Sequence, residues 1–334
     1  MSSLLNESYE AQTWAQEAIK RHPDGIHGKI IAGVAWTDAR AEDGALLVEG
    51  DPDVMLEKLQ TGRIPLMKGH DPGRPMGNVL DAALFQTTRG ERFIAVVLGI
   101  YESGIGLTFA DLGLDRHVAA DRVLPEPDPG ASIEIAYDPR EVSEEWVAEI
   151  EAISPLGVVR TPLSHNAAES VVELLRIGLP YALIVWNPVA KSFGAEVGKA
   201  LYGSVHAWLK RTIETAKARK DPLLSLEAHQ NGCHVMFLIR GNDLALNQAA
   251  HEGLSQAAVQ AAQIIDVLIE RGIPAHKLVY EMDREQLRWF PSYAVLDQGR
   301  LITNTATLIA AGADLPAGLS LGFLRDDIGD SKQN

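Results

Sequence analysis

Apolar residues fall in short, closely punctuated runs up to Ser170 and in longer ones beyond it. Ser2 to Arg21 has the spacing of an amphipathic helix, with Leu5, Trp14 and Ala18 among its apolar positions and His22-Pro23-Asp24-Gly25 ending it. Lys29 to Trp36 reads as a strand, Asp38 to Gly44 as an acidic turn and Ala45 to Val48 as a further apolar run. Asp51-Pro52-Asp53 suits a helix start, because proline is tolerated in the first turn, and Val54 to Thr61 supplies the helix. Ile64 to Met67 is a short strand leading into Lys68 to Gly77. Asn78 to Phe85 and Arg92 to Ile100 are strands joined by a hairpin turn over Thr87 to Gly90. A stiff connector, Leu124 to Gly130, carries three prolines and opens onto Ala131 to Tyr137, whose period-two alternation predicts a strand. Trp146 to Ile153 continues the apolar pattern as a strand, Val158-Val159 is another, and Thr161 to Asn166 is turn chemistry.

Beyond Glu169 the elements lengthen. Ala195 to Lys220 is a long helix with Leu201, Val205, Trp208 and Leu209 on one side and Lys210, Arg211, Lys217 and Arg219 towards its end. Leu223 to His229 and His234 to Arg240 form a hairpin about Gln230-Asn231-Gly232, since Asn-Gly supplies the two left-handed residues of a tight turn. Asn247 to Arg271 is a second long helix, stopped by Gly272 with Pro274 beyond. Leu278 to Glu281, Ser292 to Leu296 and Leu301 to Asn304 complete an α+β domain. The pattern divides the chain into an N-terminal helical extension (1–27), a β-rich barrel or sandwich (28–170) and an α+β domain (171–334).

Composition narrows the function classes. The chain has 334 residues and a net charge of −15. Almost all of that charge is N-terminal: Met1 to Ser170 carries 28 acidic and 14 basic residues. Neither part offers the basic surface that a phosphate backbone requires, so nucleic acid is not an expected partner. No apolar run approaches the roughly 18 residues that span a bilayer. Met1 to Ala18 has neither the basic start nor the apolar core of a secretory signal, and a cytoplasmic protein is expected. A single cysteine, Cys233, excludes an internal disulfide framework and a cysteine-rich zinc site.

Candidate chemistry is sparse. Ser103 to Gly106 has the glycines of a phosphate loop without its lysine, and no Gly-x-Ser-x-Gly elbow is present. His229, Cys233 and His234 flank the hairpin but lack a clear fourth ligand, so neither a metal nor another cofactor is expected. Trp289-Phe290 and Tyr293 suit core packing better than a peptide-binding surface. His70 lies in a Pro- and Gly-rich segment after a short strand, and Ser132 lies inside the strand that follows the connector. A serine hydroxyl becomes a nucleophile when an imidazole within hydrogen-bond reach takes its proton, and a third polar group then fixes the imidazole tautomer.

His70-Asp71-Pro72-Gly73-Arg74-Pro75-Met76-Gly77 resembles the His-Asp-Pro-x-Arg-Pro-x-Gly segment of tailed-phage prohead maturation proteases. Ala131-Ser132-Ile133-Glu134-Ile135 is similar to the later Leu-Ser-Ile-Gly-Phe strand of that family, and Ile150 to Ala168 more loosely to its following strand and Pro-Ala-Asn turn. The resemblance covers about Gly28 to Ala168. It implies an assemblin-like β-barrel with His70 as general base and Ser132 as nucleophile. The third member is either His165, as in herpesvirus relatives, or an acidic residue, Glu151 or Glu149, in the strand facing His70. Two departures stand out. Glu134 replaces the glycine after Ser-Ile, and period two puts its carboxylate on the face of Ser132, where it opposes an oxyanion. Ala152-Ile153-Ser154 replaces an acidic-x-Ser pattern.

The resemblance implies a serine endopeptidase acting on a protein or peptide substrate, itself included, either in capsid maturation or in bacterial anti-phage defence. A phage or host protein is the expected partner, and a homo-oligomer the expected assembly. The compact C-terminal half is not the charged coiled coil of a capsid scaffold and is faintly similar to accessory domains of bacterial conflict proteins, which favours defence. The competing reading is an inactive protease-like barrel serving binding or assembly, and Glu134 is the residue that favours it.

Overall fold

The structure is a computed structural model and describes residues 2–22, 27–40, 44, 50–61, 64–68, 71–101, 107–114, 131–162, 172–185, 196–296, 300–304 and 319–321. It is a mixed α+β protein with two sheets. The chain forms two compact units. Met1–Gly106, Leu163–Ser170 and Leu308–Asn334 make the first, and Leu107–Pro162 and Val171–Thr307 the second. This division differs from a single boundary at residue 170, because Leu107–Pro162 joins the C-terminal elements.

The first unit contains α1 (Ser2–Asn6), α2 (Tyr9–Arg21), β1 (His27–Thr37), α3 (Pro52–Thr61), β2 (Pro65–Lys68), β3 (Asp71–Gln86), β4 (Arg92–Tyr101) and the last described strand, β14 (Leu319–Leu321). The helix expected over Ser2 to Arg21 is broken at Glu7-Ser8, where the Ser8 hydroxyl accepts the Ala11 N–H at 3.3 Å and starts α2 afresh. The strands pair antiparallel in the order β1-β4-β3-β2-β14. One face packs Trp36, Met76, Ile94 and Val96 against Met55 and Leu59 of α3. The other packs Phe93 and Ala95 against Leu5, Ala11 and Ala15 of α1 and α2. Burial on both faces is why β4 reads as a continuous apolar run.

The second unit contains β5 (Leu107–Thr108), β6 (Ile133–Tyr137), α4 (Glu144–Ala152), β7 (Val158–Pro162), β8 (Glu173–Gly178), α5 (Tyr181–Ile184), α6 (Glu196–Thr215), β9 (Pro222–Gln230), β10 (Cys233–Arg240), α7 (Leu244–Glu270), β11 (Ala275–Asp283), β12 (Arg288–Leu296) and β13 (Leu301–Thr303). They build a nine-stranded mixed sheet in the order β5-β13-β12-β11-β10-β9-β8-β6-β7. Parallel neighbours β6/β7, β8/β9 and β10/β11 are each connected through helices, as parallel pairing requires.

Trp146 to Ile153, expected as a strand, is instead helix α4. Ser143 accepts the Trp146 N–H at its start, Glu144 and Glu145 occupy its first turn, and Trp146, Val147 and Ile150 are buried at helical spacing. α4, α6 and α7 all pack on one face of the sheet. There Ile133, Ile135, Leu224, Leu226, Val235, Phe237, Leu278 and Tyr280 meet Ile150, Trp208, Leu254 and Ile265 in one core. Trp289 and Tyr293 are also buried, the Trp289 indole donating to the Ala250 carbonyl at 2.8 Å, so both belong to packing. The hairpin turn has Asn231 at φ 48° and Gly232 at φ +79°, the left-handed pair that a tight antiparallel turn needs. Asp243 caps α7 by accepting the Ala245 and Leu246 N–H groups, and Gly272 at φ +69° follows its end. Among the described residues no helix is long and apolar enough to cross a membrane.

Candidate functional site

Position 70 lies outside the described residues, which run up to Lys68 before it and resume at Asp71 after it. Lys68 at the end of β2 pairs with Asp71 at the start of β3, and the register slips between Met67 and Lys68. The Asp71 carboxylate accepts the Gly73 N–H at 2.8 Å, and Arg74 donates to the Gly73 carbonyl at 2.8 Å. Met76 is buried in the core beside α3. Gly77 is there for space: a Cβ at this position would lie 2.0 Å from the Gly99 carbonyl oxygen. Gly99 in turn lies under the His27 ring, whose carbons would be 2.6 Å from a Cβ there. His27 stacks on Tyr101 with centroids 5.5 Å apart, and Asn78 donates to the Tyr101 hydroxyl at 2.6 Å. Burial, with a smaller contribution from His22, lowers the His27 pKa and favours the neutral ring.

Ser132 is exposed and sits just before β6 rather than inside it. Eight serines, at 8, 132, 143, 154, 204, 225, 255 and 292, have described side chains. Seven cap a helix or bond to a neighbouring group; only Ser132 makes no hydrogen bond to a described residue. Glu134, two residues on and on the same face, is pinned there. Its carboxylate accepts the Thr161 hydroxyl at 2.9 Å, and its Cβ lies 3.1 Å from where a side chain at Gly178 would begin. Glu149 and Glu151 stand on helix α4, not on a strand, and Glu151 is paired with Arg160, which also reaches Glu144 at 3.2 Å. His165 lies outside the described residues. The segment flanking position 70 belongs to the first unit and Ser132 to the second.

A second constellation was not read from the sequence. On the face of the second sheet opposite the helices, Glu227 of β9 receives Arg176 of β8 through two bonds of 2.6 Å, one to each carboxylate oxygen. Ser225 donates to one of these oxygens at 2.8 Å, and the His234 Nε2 lies 3.0 Å from the other. Burial alone would raise the Glu227 carboxyl, but the Arg176 charge and the hydrogen bonds outweigh it and hold the group well below the usual carboxylate range. His229 stacks on His234 at 4.8 Å, and burial followed by the His234 charge lowers its pKa. Arg240, Glu281 and Ser292 repeat the motif nearby, at 2.7 and 2.8 Å. Cys233 does not join its histidine neighbours. It points into the helix-covered core, where burial pushes its thiol up to about 12. Among the described residues no group of three or more potential ligands is placed to hold a metal. The available signal was Ser225, Glu227 and His229 recurring at period two within an otherwise apolar strand.

Compared with protein-family models, with curated proteins and with solved structures, the chain matches none.

Proposed function

We propose that the chain is a serine endopeptidase of the kind its His70 to Gly77 segment resembles, built on an assemblin-like barrel. Ser132 attacks the scissile carbonyl, His70 takes and returns the proton, and water releases the acyl-enzyme. His165 completes the set, with Glu151 or Glu149 as the alternatives. A phage or host protein, or the chain itself, is the substrate. The observation that carries the reading is the Ser132 hydroxyl, exposed and uncommitted where every other described serine side chain is bonded. Glu151 weakens as a candidate because Arg160 already holds it.

The second reading, an inactive protease-like chain that serves binding or assembly, draws on Glu134. Its fixed carboxylate lies on the face of Ser132, where negative charge opposes oxyanion development. Fluorophosphonate labelling read by intact mass separates the two. A single adduct on the wild type, lost in both Ser132→Ala and His70→Ala, is the expected result. An adduct that persists in either variant, or none even in infected-cell lysate, selects the inactive reading.

A further inference from the structure

We propose that the outer edge of β1 is an interface for a second copy of this chain, the two β1 strands pairing antiparallel about a two-fold axis. The inference does not rest on the protease reading. Natural sheets guard their edges by shortness, charge, proline or a covering element, and among the described edges β1 alone lacks these guards. β5 has two residues, while β7 has five, carries Arg160 and ends on Pro162. The edge of β2 is covered by β14. β1 has eleven residues and pairs with β4; among the described residues no strand lies on its other side. From Ile30 to Thr37 it carries neither charge nor proline, and Ile30 to Ala35 are all partly exposed. Its register on β4 shifts only towards its ends, which leaves Lys29 to Val34 regular. Every second residue of an antiparallel strand turns its N–H and C=O away from the neighbour it already has, so β1 offers a row of donors and acceptors to one more strand.

A second β1 suits that row. Ile31 and Ala35 pack towards α3, and Ala32 and Val34 towards α1 and α2. A two-fold axis perpendicular to the sheet keeps those faces in line, because residues of like parity then stand opposite each other. With Ala32 on the axis, Ile31 faces Gly33 of the partner subunit, so the bulkier side chain lies over bare backbone. Ile30 faces Val34 of the partner subunit in the same register, a β-branched pair of the kind that stabilises antiparallel strands. The only lysine of the strand, Lys29, lies at opposite ends of the pair in the two copies, so no like charges meet. Because β14 occupies the other edge of the sheet, one such pairing uses the open edge of each copy and the assembly closes at two.

The test is sedimentation of the full chain at roughly 1 to 200 µM, the range suited to a small interface, with hydrogen exchange read by peptide mass at both ends of it. A concentration-dependent change from one chain to two is expected, with slower exchange over Lys29 to Ala35 at the high end. Gly33→Lys sets two ammonium groups diagonally across the axis and should raise the dissociation constant about tenfold or more. A Cβ at Gly33 meets nothing closer than Leu98 at 3.6 Å, so the fold should survive, and a urea midpoint checks it. Gly33→Glu should weaken self-association likewise, and an equimolar mixture of the two variants should restore the dimer by pairing opposite charges. A wild-type chain that stays single throughout, or a dimer without slower exchange over Lys29 to Ala35, overturns the interface. So does a dimer that Gly33→Lys leaves unchanged, or a mixture that associates no better than either variant alone.

Discussion

The two faces of the nine-stranded sheet are made by the same strands and do opposite things. On one, Leu224, Leu226, Val235, Phe237, Leu278 and Tyr280 meet the helices in an apolar core. On the other, alternate residues of the same strands are Arg176, Ser225, Glu227, His234 and Lys277, a charged row with a defined bonding pattern. A period of two lets a strand of eight or nine residues, such as β9, β10 or β11, encode both a stabilising surface and a chemical one. The contrast also says where mutations should hurt folding and where they should hurt chemistry.

The largest expected effect is on the apolar face. Phe237→Ala leaves a cavity between Tyr280 and Trp289, whose rings lie 5.3 and 5.6 Å from its own, and should cost about 3–5 kcal/mol in urea unfolding. Next comes the charged row. Glu227→Ala removes the carboxylate that takes two bonds from the largely buried Arg176 guanidinium and should cost about 3 kcal/mol. The double variant with Arg176→Met should recover much of that loss, and an additive cycle would show that the pair is not coupled. A smaller effect is acid sensitivity. Because the folded Glu227 carboxyl titrates below its ordinary 4.5, its contribution is present above that value and is lost as the pH falls through it towards the folded pKa. Urea midpoints at pH 7 and pH 3 should therefore separate less in Glu227→Gln than in the wild type. Lys277 works in the alkaline range with its folded pKa also lowered, so stability should rise from pH 8 to pH 10.5 and Lys277→Met should flatten that rise. The smallest change in folding belongs to Ser132→Ala, within about 0.5 kcal/mol because the hydroxyl holds nothing, although labelling should vanish.

Much of this was legible in the sequence, and the reasons differ by element. Asn231-Gly232 forces a tight turn whatever surrounds it, so the β9–β10 hairpin appears where expected. α7 announces itself through its length and its Gly272 stop. α4 did not, because Trp146 to Ile153 is short enough that an apolar run suits strand or helix. Ser143 with Glu144 and Glu145 behind it was the signal that decides the matter. Sheet membership was harder still. Alternation in Ala131 to Tyr137 tells which residues share a face but not which strand lies alongside, and β6 pairs with β8 and β7 rather than with any strand of the first unit. The charged row was hidden for a related reason: its members are spread over four strands, β8 to β11, and most become neighbours only through long-range pairing.

One feature of the first sheet bears on how the chain is made. β14, at Leu319–Leu321, covers the outer edge of β2 by pairing with Lys68, Met67 and Leu66. Those partners leave the ribosome some 250 residues apart. Until Leu319–Leu321 has been made, the strand that leads to the His70 segment has an unpaired edge, an invitation to pair with another nascent chain. The first unit is thus closed only once the chain has been made as far as Leu321, and a chain interrupted before Leu319 leaves that edge open for good.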